Sequence, residues 1–324
     1  MMKALWLENN KIELKEIPQP QKPDEVLVKI RKAGICSTDL ELVKGYYPYT
    51  GVIGHEFVGE VVAITPNPSP EGRGELKVGD RVVGEINAVC DQCEQCLNGR
   101  PTHCESRTVL GIVNRDGTFA EFTQLPIANL HKVPASVSDG MAVFTEPLAA
   151  ALEIQEQINI KPTDRVLLVG AGRLGQLISQ TLALTDCDLR VVARHKRQQD
   201  LLSARGIRII AEEDVQRWRW DVVVEATGSP GGFALARQAI RPRGTLVLKS
   251  TYKGEMSVDF SSIVVDEVNI IGSRCGPFEP ALKLMESKLV DPTVLIDDEF
   301  SLSDGIKAFE RAAQAGTLKV LIQP

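Results

Sequence analysis

Val166-Leu167-Leu168-Val169-Gly170-Ala171-Gly172-Arg173-Leu174-Gly175 is the stretch on which the reading of this chain turns. Its apolar run has the continuous character of a strand buried on both faces, and a G-x-G-x-x-G turn follows. An amphipathic helix comes next, with Leu174, Leu177, Ile178 and Leu182 on one side. Gly170 makes the tight turn, Gly172 lets backbone N–H groups approach a pyrophosphate, and Gly175 lets the helix pack on the strand. Arg173 and Leu174 fill the variable positions where the helix begins, so its positive end points at the phosphates. A glycine-rich turn alone is a weak signal. Strand before and helix after supply the context that a dinucleotide loop needs.

Outward from this loop the same rhythm repeats. Arg190–Ala193, Ile207–Ile210, Val222–Glu225, Thr245–Leu248 and Asn269–Ile271 are short apolar runs separated by helical stretches. Continuous rather than alternating apolar character predicts a doubly wound parallel sheet with helices on both faces. Before Lys161-Pro162-Thr163-Asp164 the pattern is different. Val26–Ile30, Glu56–Ile64 and Arg81–Glu85 read as short β-strands between turn residues, and Thr65–Gly74 reads as a surface loop. After Ala281 a helix, a strand-like patch at Val294–Ile296, a second helix and a final strand at Val320–Ile322 follow. Periodicity leaves open whether this tail extends the parallel sheet or rejoins the first part.

The end of the second strand faces the adenosine ribose of a bound dinucleotide. A carboxylate there would grip the 2′-hydroxyl. This chain has Arg194, His195, Lys196 and Arg197 instead, which would welcome a 2′-phosphate and so favour NADP(H) over NAD(H), unless they only form a solvated helix start.

Cys90, Cys93, Cys96 and Cys104 are spaced C-x2-C-x2-C-x7-C among polar residues, a closed four-thiolate zinc pattern. Two disulfides are the rival reading and need an oxidising compartment. The odd total of seven cysteines and a charged N-terminal stretch without a signal-peptide core favour reduced thiols in the cytoplasm. A closed site is structural, so the chemistry belongs elsewhere. Cys36 and His55 are suitable ligands for a second zinc, and either Glu56 or Glu146 can add a carboxylate. His55 and Glu56, being adjacent, can share one metal only if the strand start is irregular.

With 324 residues, 43% hydrophobic and 25% charged, the chain has the size of two domains and the composition of an ordinary soluble globular protein. A net charge of -6 speaks against nucleic acid or anionic membrane as partner.

Cys36-x-Thr38-Asp39, Gly54-His55-Glu56, the four-cysteine lobe, Glu146-Pro147-Leu148 and the glycine loop occur in one order along nearly the whole chain. In this the chain resembles the zinc-dependent medium-chain alcohol dehydrogenases, and its Glu-Pro-Leu resembles their polyol and threonine dehydrogenase branch. The resemblance implies an α/β protein with a GroES-like β-rich catalytic domain over residues 1–142 and 284–324 and a Rossmann domain over 143–283. It implies zinc-dependent hydride transfer between an alcohol and NAD(P), in a homodimer or homotetramer. Carried onto this sequence, it makes Cys36 and His55 catalytic zinc ligands, with Glu56 and Glu146 sharing or exchanging the carboxylate role. Thr38 resembles the hydroxyl that takes the substrate proton, and Asp39 the carboxylate that orients His55. Glu41 stands where some relatives have a proton-passing histidine, and a carboxylate is the weaker base at neutral pH. Thr227 and Arg274 resemble residues beside the nicotinamide. A zinc-free enone or quinone reductase on this scaffold, or a non-catalytic NADP(H) sensor, are the rival functions. Neither requires the ligand-type residues at positions 36, 55 and 146.

Overall fold

The computed structural model describes residues 1–64, 76–251 and 255–324; the loop read at Thr65–Gly74 lies outside them. An antiparallel hairpin opens the chain, with β1 (Met2–Glu8) and β2 (Lys11–Ile17) paired in full register. Asn9 and Asn10 form its turn, both at positive φ (50° and 61°). Asparagine tolerates that region, which two-residue hairpin turns require. Among the described residues eight strands follow: β3 (Val26–Gly34), β4 (Gly51–Val52), β5 (Glu56–Ala63), β6 (Arg81–Gly84), β7 (Asn87–Ala88), β8 (Thr108–Val109), β9 (Phe122–Leu125) and β10 (Leu130–Lys132). The hub is β3, which pairs antiparallel with β5 along its length and with β9 over its first half. Val26, Val28 and Ile30 of β3 are buried while Lys29 and Arg31 are exposed, the alternation of a sheet with one wet face.

Six strands then build the second sheet: β11 (Arg165–Val169), β12 (Asp188–Val192), β13 (Arg208–Ile210), β14 (Trp220–Glu225), β15 (Ile240–Leu248) and β16 (Asn269–Gly272). All pair in parallel, in the order β13-β12-β11-β14-β15-β16. Leu167, Val169, Val223 and Leu246 share one face of this sheet and are buried in a core with Phe233 and Ala236 of the helix Pro230–Ala239. The strand order reverses at β11, so a crevice opens at the carboxyl ends of β11 and β14, where such sheets bind ligands.

The tail supplies β17 (Ile296–Ser301) and β18 (Lys319–Gln323). β18 pairs antiparallel with β3 at Ala33 and Gly34, so the tail joins the first sheet. The strand-like patch expected at Val294–Ile296 is corrected: Thr293–Leu295 is a 3-10 turn and the strand begins at Ile296. Asp291 Oδ1 accepts from Thr293 N at 3.0 Å and Thr293 Oγ1 at 2.6 Å, which curls the chain there. Two compact units result, Met1–Glu146 with Phe278–Pro324, and Pro147–Pro277. No helix of the described residues is long and apolar enough to cross a membrane.

Candidate active site

In the first unit, Cys36, His55 and Glu56 bring a thiol sulfur, an imidazole nitrogen and a carboxylate oxygen within 4.8 Å of one another. Cys36 follows β3 and caps the helix Ser37–Val43, where Asp39 Oδ2 accepts its backbone N–H at 2.7 Å. The other oxygen of the fully buried Asp39 lies 3.2 Å from His55 Nδ1, close but off the line of a hydrogen bond. With Nδ1 turned to Asp39, Nε2 is left for the cluster. Burial disfavours the imidazolium, yet Asp39 and Cys36 outweigh it and hold the His55 pKa well above its ordinary value.

Adjacent His55 and Glu56 serve one site because β5 begins only at Glu56. The preceding Gly54 has φ +100°, and its carbonyl accepts from Thr118 N at 3.0 Å. That pinned turn is the irregularity that two neighbouring ligands need. Glu56 Oε2 also accepts a hydrogen bond from the ammonium of Lys319 on β18, and both residues are buried. A Cβ on Gly34 would stand 2.6 Å from the same oxygen and 2.9 Å from Val143 Cγ1, so a larger residue there would push the carboxylate from its present place. Lys319 escaped the sequence reading, since it lies 263 positions from Glu56 and carries no local signal. Glu146, in the first turn of the helix Thr145–Gln157, is outside this cluster. Thr38 Oγ1 lies 3.8 Å from Cys36 Sγ, while Glu41 pairs with Lys44 at 2.8 Å on the outer side. Thiolate, imidazole and carboxylate are the donors of a zinc site with one open position, so these residues fit the metal.

The four-cysteine lobe fits it as well. Sγ–Sγ distances are 3.6 Å for Cys93–Cys96 and 3.5 Å for Cys90–Cys104, and all four thiols are free. A disulfide would need about 2.05 Å, whereas a tetrahedron with Zn–S bonds of about 2.3 Å has edges of roughly 3.8 Å. Backbone N–H groups of Gln92 and Cys93 lower the Cys90 thiol to about 6, the direction that favours thiolate.

In the second unit the glycine loop leaves β11. Gly170 adopts φ +106°, and Gly175 packs against the Gly170 carbonyl. A Cβ on Gly172 would meet no protein atom within 4 Å, so open space lies over the N-terminus of the helix Arg173–Ala183. A pyrophosphate fits that cradle. Arg194 follows β12, but its Nε and Nη2 reach Glu212 Oε2 at 3.1 and 2.9 Å. Lys196 pairs with Asp200, and His195 is the N-cap of the helix Lys196–Ala204. Thr227 turns its hydroxyl inward to Glu225. Arg274 lies just beyond β16, and its carbonyl accepts from Lys249 Nζ at 3.0 Å.

One unit carries a dinucleotide-type glycine turn and the other a donor set that fits zinc, the two parts that hydride chemistry on an alcohol needs, so the class defined is a metal-dependent oxidoreductase. Residues 22–135 match the alcohol dehydrogenase GroES-like domain. The chain is similar to the L-threonine 3-dehydrogenase of Shewanella frigidimarina, 31% identical over 93% of this chain and 93% of that one. It is similar to the sorbitol dehydrogenase of Halalkalibacterium halodurans, 28% identical over 97% of this chain and 95% of that one. In structure it is similar to a Sinorhizobium meliloti 1021 protein assigned as a zinc-binding dehydrogenase and solved with NADP. The TM-score is 0.90 at 27% identity, with 100% of this chain and 99% of that one covered. The chain belongs to the zinc-dependent medium-chain alcohol dehydrogenases and is an alcohol oxidoreductase.

Proposed function

We propose that this enzyme oxidises a secondary alcohol of a polyol-like substrate with NADP as hydride acceptor, and reduces the matching ketone. One catalytic and one structural zinc per chain would support the reaction. The observation that carries the reading is the convergence of Cys36, His55 and Glu56, with the Thr38 hydroxyl 3.8 Å from the thiol. Bound by those three residues, zinc supplies Lewis acidity to the substrate oxygen. Thr38 Oγ1 relays the proton of the substrate hydroxyl, taking it while releasing its own toward solvent, and Glu41 stands on the same helix in place of a histidine. Asp39 orients His55, and Lys319 balances the charge of Glu56. Glu146 is the alternate carboxylate. Cys90, Cys93, Cys96 and Cys104 hold the second zinc and stabilise their loop.

Gly170, Gly172, Arg173, Leu174 and Gly175 cradle the pyrophosphate. Thr227 and Arg274 belong to the nicotinamide end, beyond the switch point. Arg194, His195 and Arg197 receive the 2′-phosphate. The Arg194–Glu212 pair is exposed at 63% and 43% of its side chains, and such pairs are worth at most about 1 kcal/mol, so a phosphate can displace Glu212. The relative solved with NADP supports this choice, and the names of the sorbitol and threonine dehydrogenases support a secondary alcohol flanked by polar groups. Self-association into a dimer or tetramer is supported by Phe260, Val264 and Val265, exposed at 70%, 74% and 80%, and by the open edge of β16.

The test is kcat/KM for NADP against NAD over a panel of polyols, sugars and simple secondary alcohols, in wild type and Arg194→Ala. Wild type should favour NADP, and Arg194→Ala should lose roughly ten- to hundredfold with NADP alone. A wild type that favours NAD would overturn the cofactor preference.

A further inference from the structure

Glu225 ends β14 with its side chain fully buried at the carboxyl edge of the parallel sheet. A carboxylate withdrawn from water is costly unless strong donors meet it. Here Oε1 accepts the backbone N–H of Thr227 at 2.6 Å and the Thr227 hydroxyl at 2.5 Å. Thr227 Oγ1, having donated its proton, accepts from Ser229 N at 3.1 Å and lies 2.9 Å from Ser229 Oγ. Ser229 Oγ in turn accepts from Gly232 N at 3.1 Å and caps the helix Pro230–Ala239. One hydrogen-bonded chain thus runs from the buried carboxylate through two hydroxyls to a helix N-terminus.

The opposite side of this turn bears on the phosphate loop. Thr227 Cγ2 and the Ala226 carbonyl oxygen each lie 2.9 Å from where a Cβ on Gly170 would stand. Gly232 is packed against Thr227 Oγ1, so the turn is gripped from the helix as well. A dinucleotide crosses the sheet at the switch point and lays its nicotinamide half over the strand ends beyond it, which here begin with β14.

We infer that Glu225 is a positioning residue for the dinucleotide, holding the 226–229 turn against the phosphate loop through the Thr227 hydroxyl. This rests on the cofactor reading above and refines it. The Thr227 hydroxyl is committed inward, so Thr227 serves the cofactor by where it places the turn rather than by donating to it. Without the bond to Glu225, the turn would no longer be fixed against Gly170, and the floor of the cradle would loosen.

Direct titration of the zinc-loaded enzyme with NADP(H) and NAD(H), by cofactor fluorescence or equilibrium dialysis, tests this independently of turnover. Thr227→Val keeps the packing methyl and removes the hydroxyl. Glu225→Gln weakens the acceptor at a side chain too buried to touch a ligand. Each should raise Kd roughly tenfold, the double variant should be no weaker than the worse single one, and Thr227→Ser should stay within about twofold of wild type. A merely structural role would lower Tm and leave Kd unmoved, which overturns the inference. So does Glu225→Gln binding as wild type while Thr227→Val alone weakens, since the hydroxyl would then touch the cofactor directly. If Glu225→Gln does not fold, the Thr227→Val and Thr227→Ser pair decides, and equal Kd values reject the inference. A wild type that binds neither dinucleotide overturns the cofactor reading and this inference together, whereas a binding wild type with unaltered variants overturns the inference alone.

Discussion

Single residues set the chemistry of the candidate site, and two of them can be probed cleanly. Thr38 offers the hydroxyl next to the ligand cluster without itself being a ligand type. Thr38→Val should cut kcat by about 10²–10⁴, the usual span for a positioned acid or base, while zinc content and cofactor Kd hold. Unchanged kcat would remove Thr38 from the proton path. Lys319 is the other residue. Its ammonium is 3% exposed in side chain and meets Glu56 at 1%. Lys319→Met would strand a buried carboxylate, which costs about 3–5 kcal/mol. A zinc ion on Glu56 would take over part of that compensation. Chemical denaturation should therefore show a larger loss in metal-stripped than in zinc-loaded enzyme, and equal losses would argue against Glu56 as a ligand.

At the scale of elements, the starts of β11, β14 and β15 are tied by one carboxylate. Asp221 Oδ2 accepts from Arg165 N at 2.9 Å and Arg165 Nε at 3.1 Å, and Oδ1 accepts from Arg241 Nε at 2.6 Å. Burial opposes its ionisation, but the two guanidinium groups outweigh it and lower the Asp221 pKa to about 2. The sign follows from linkage: a depressed carboxylate stabilises the fold fully above its unfolded pKa near 4 and loses that contribution as pH falls toward 2. About 2 kcal/mol is at stake. Asp221→Asn should lower stability by that order at pH 7 and flatten its pH dependence between about 4 and 2, as read by urea denaturation. The four-cysteine loop makes a second prediction at this scale. Cys93→Ser opens the shell, so one zinc per chain and a markedly lower Tm are expected, because structural zinc contributes folding energy. An unchanged Tm would mean that the loop holds without metal.

For the whole molecule, metal analysis should return two zinc ions per chain, one released by mild chelation with loss of turnover and one released only on unfolding. A single zinc in fully active enzyme would contradict the two-site reading. The six-stranded parallel sheet was legible in the sequence because each strand contains a short apolar run and the Gly170–Gly175 turn is local chemistry. The thiol lobe was legible for the same reason, with all its sulfurs on one loop. The opening hairpin carries a local signal too, since Asn9-Asn10 between two strand-like runs suits a tight turn. Other features were decided only by long-range contact. The tail could have joined either sheet until β18 paired with β3. Glu56 rather than Glu146 stands with Cys36 and His55 because a pinned turn at Gly54 delays the start of β5, and because Gly34 leaves space for the carboxylate. Lys319 reaches Glu56 across 263 positions. Periodicity and motif spacing record what neighbouring residues do to one another, so the sequence by itself determined the strands of the parallel sheet, the glycine turn and the gathering of four thiols on one loop. Which strand edges pair, and which buried charges meet, depends on free energies shared between segments far apart in the chain, and only the tertiary structure decided those.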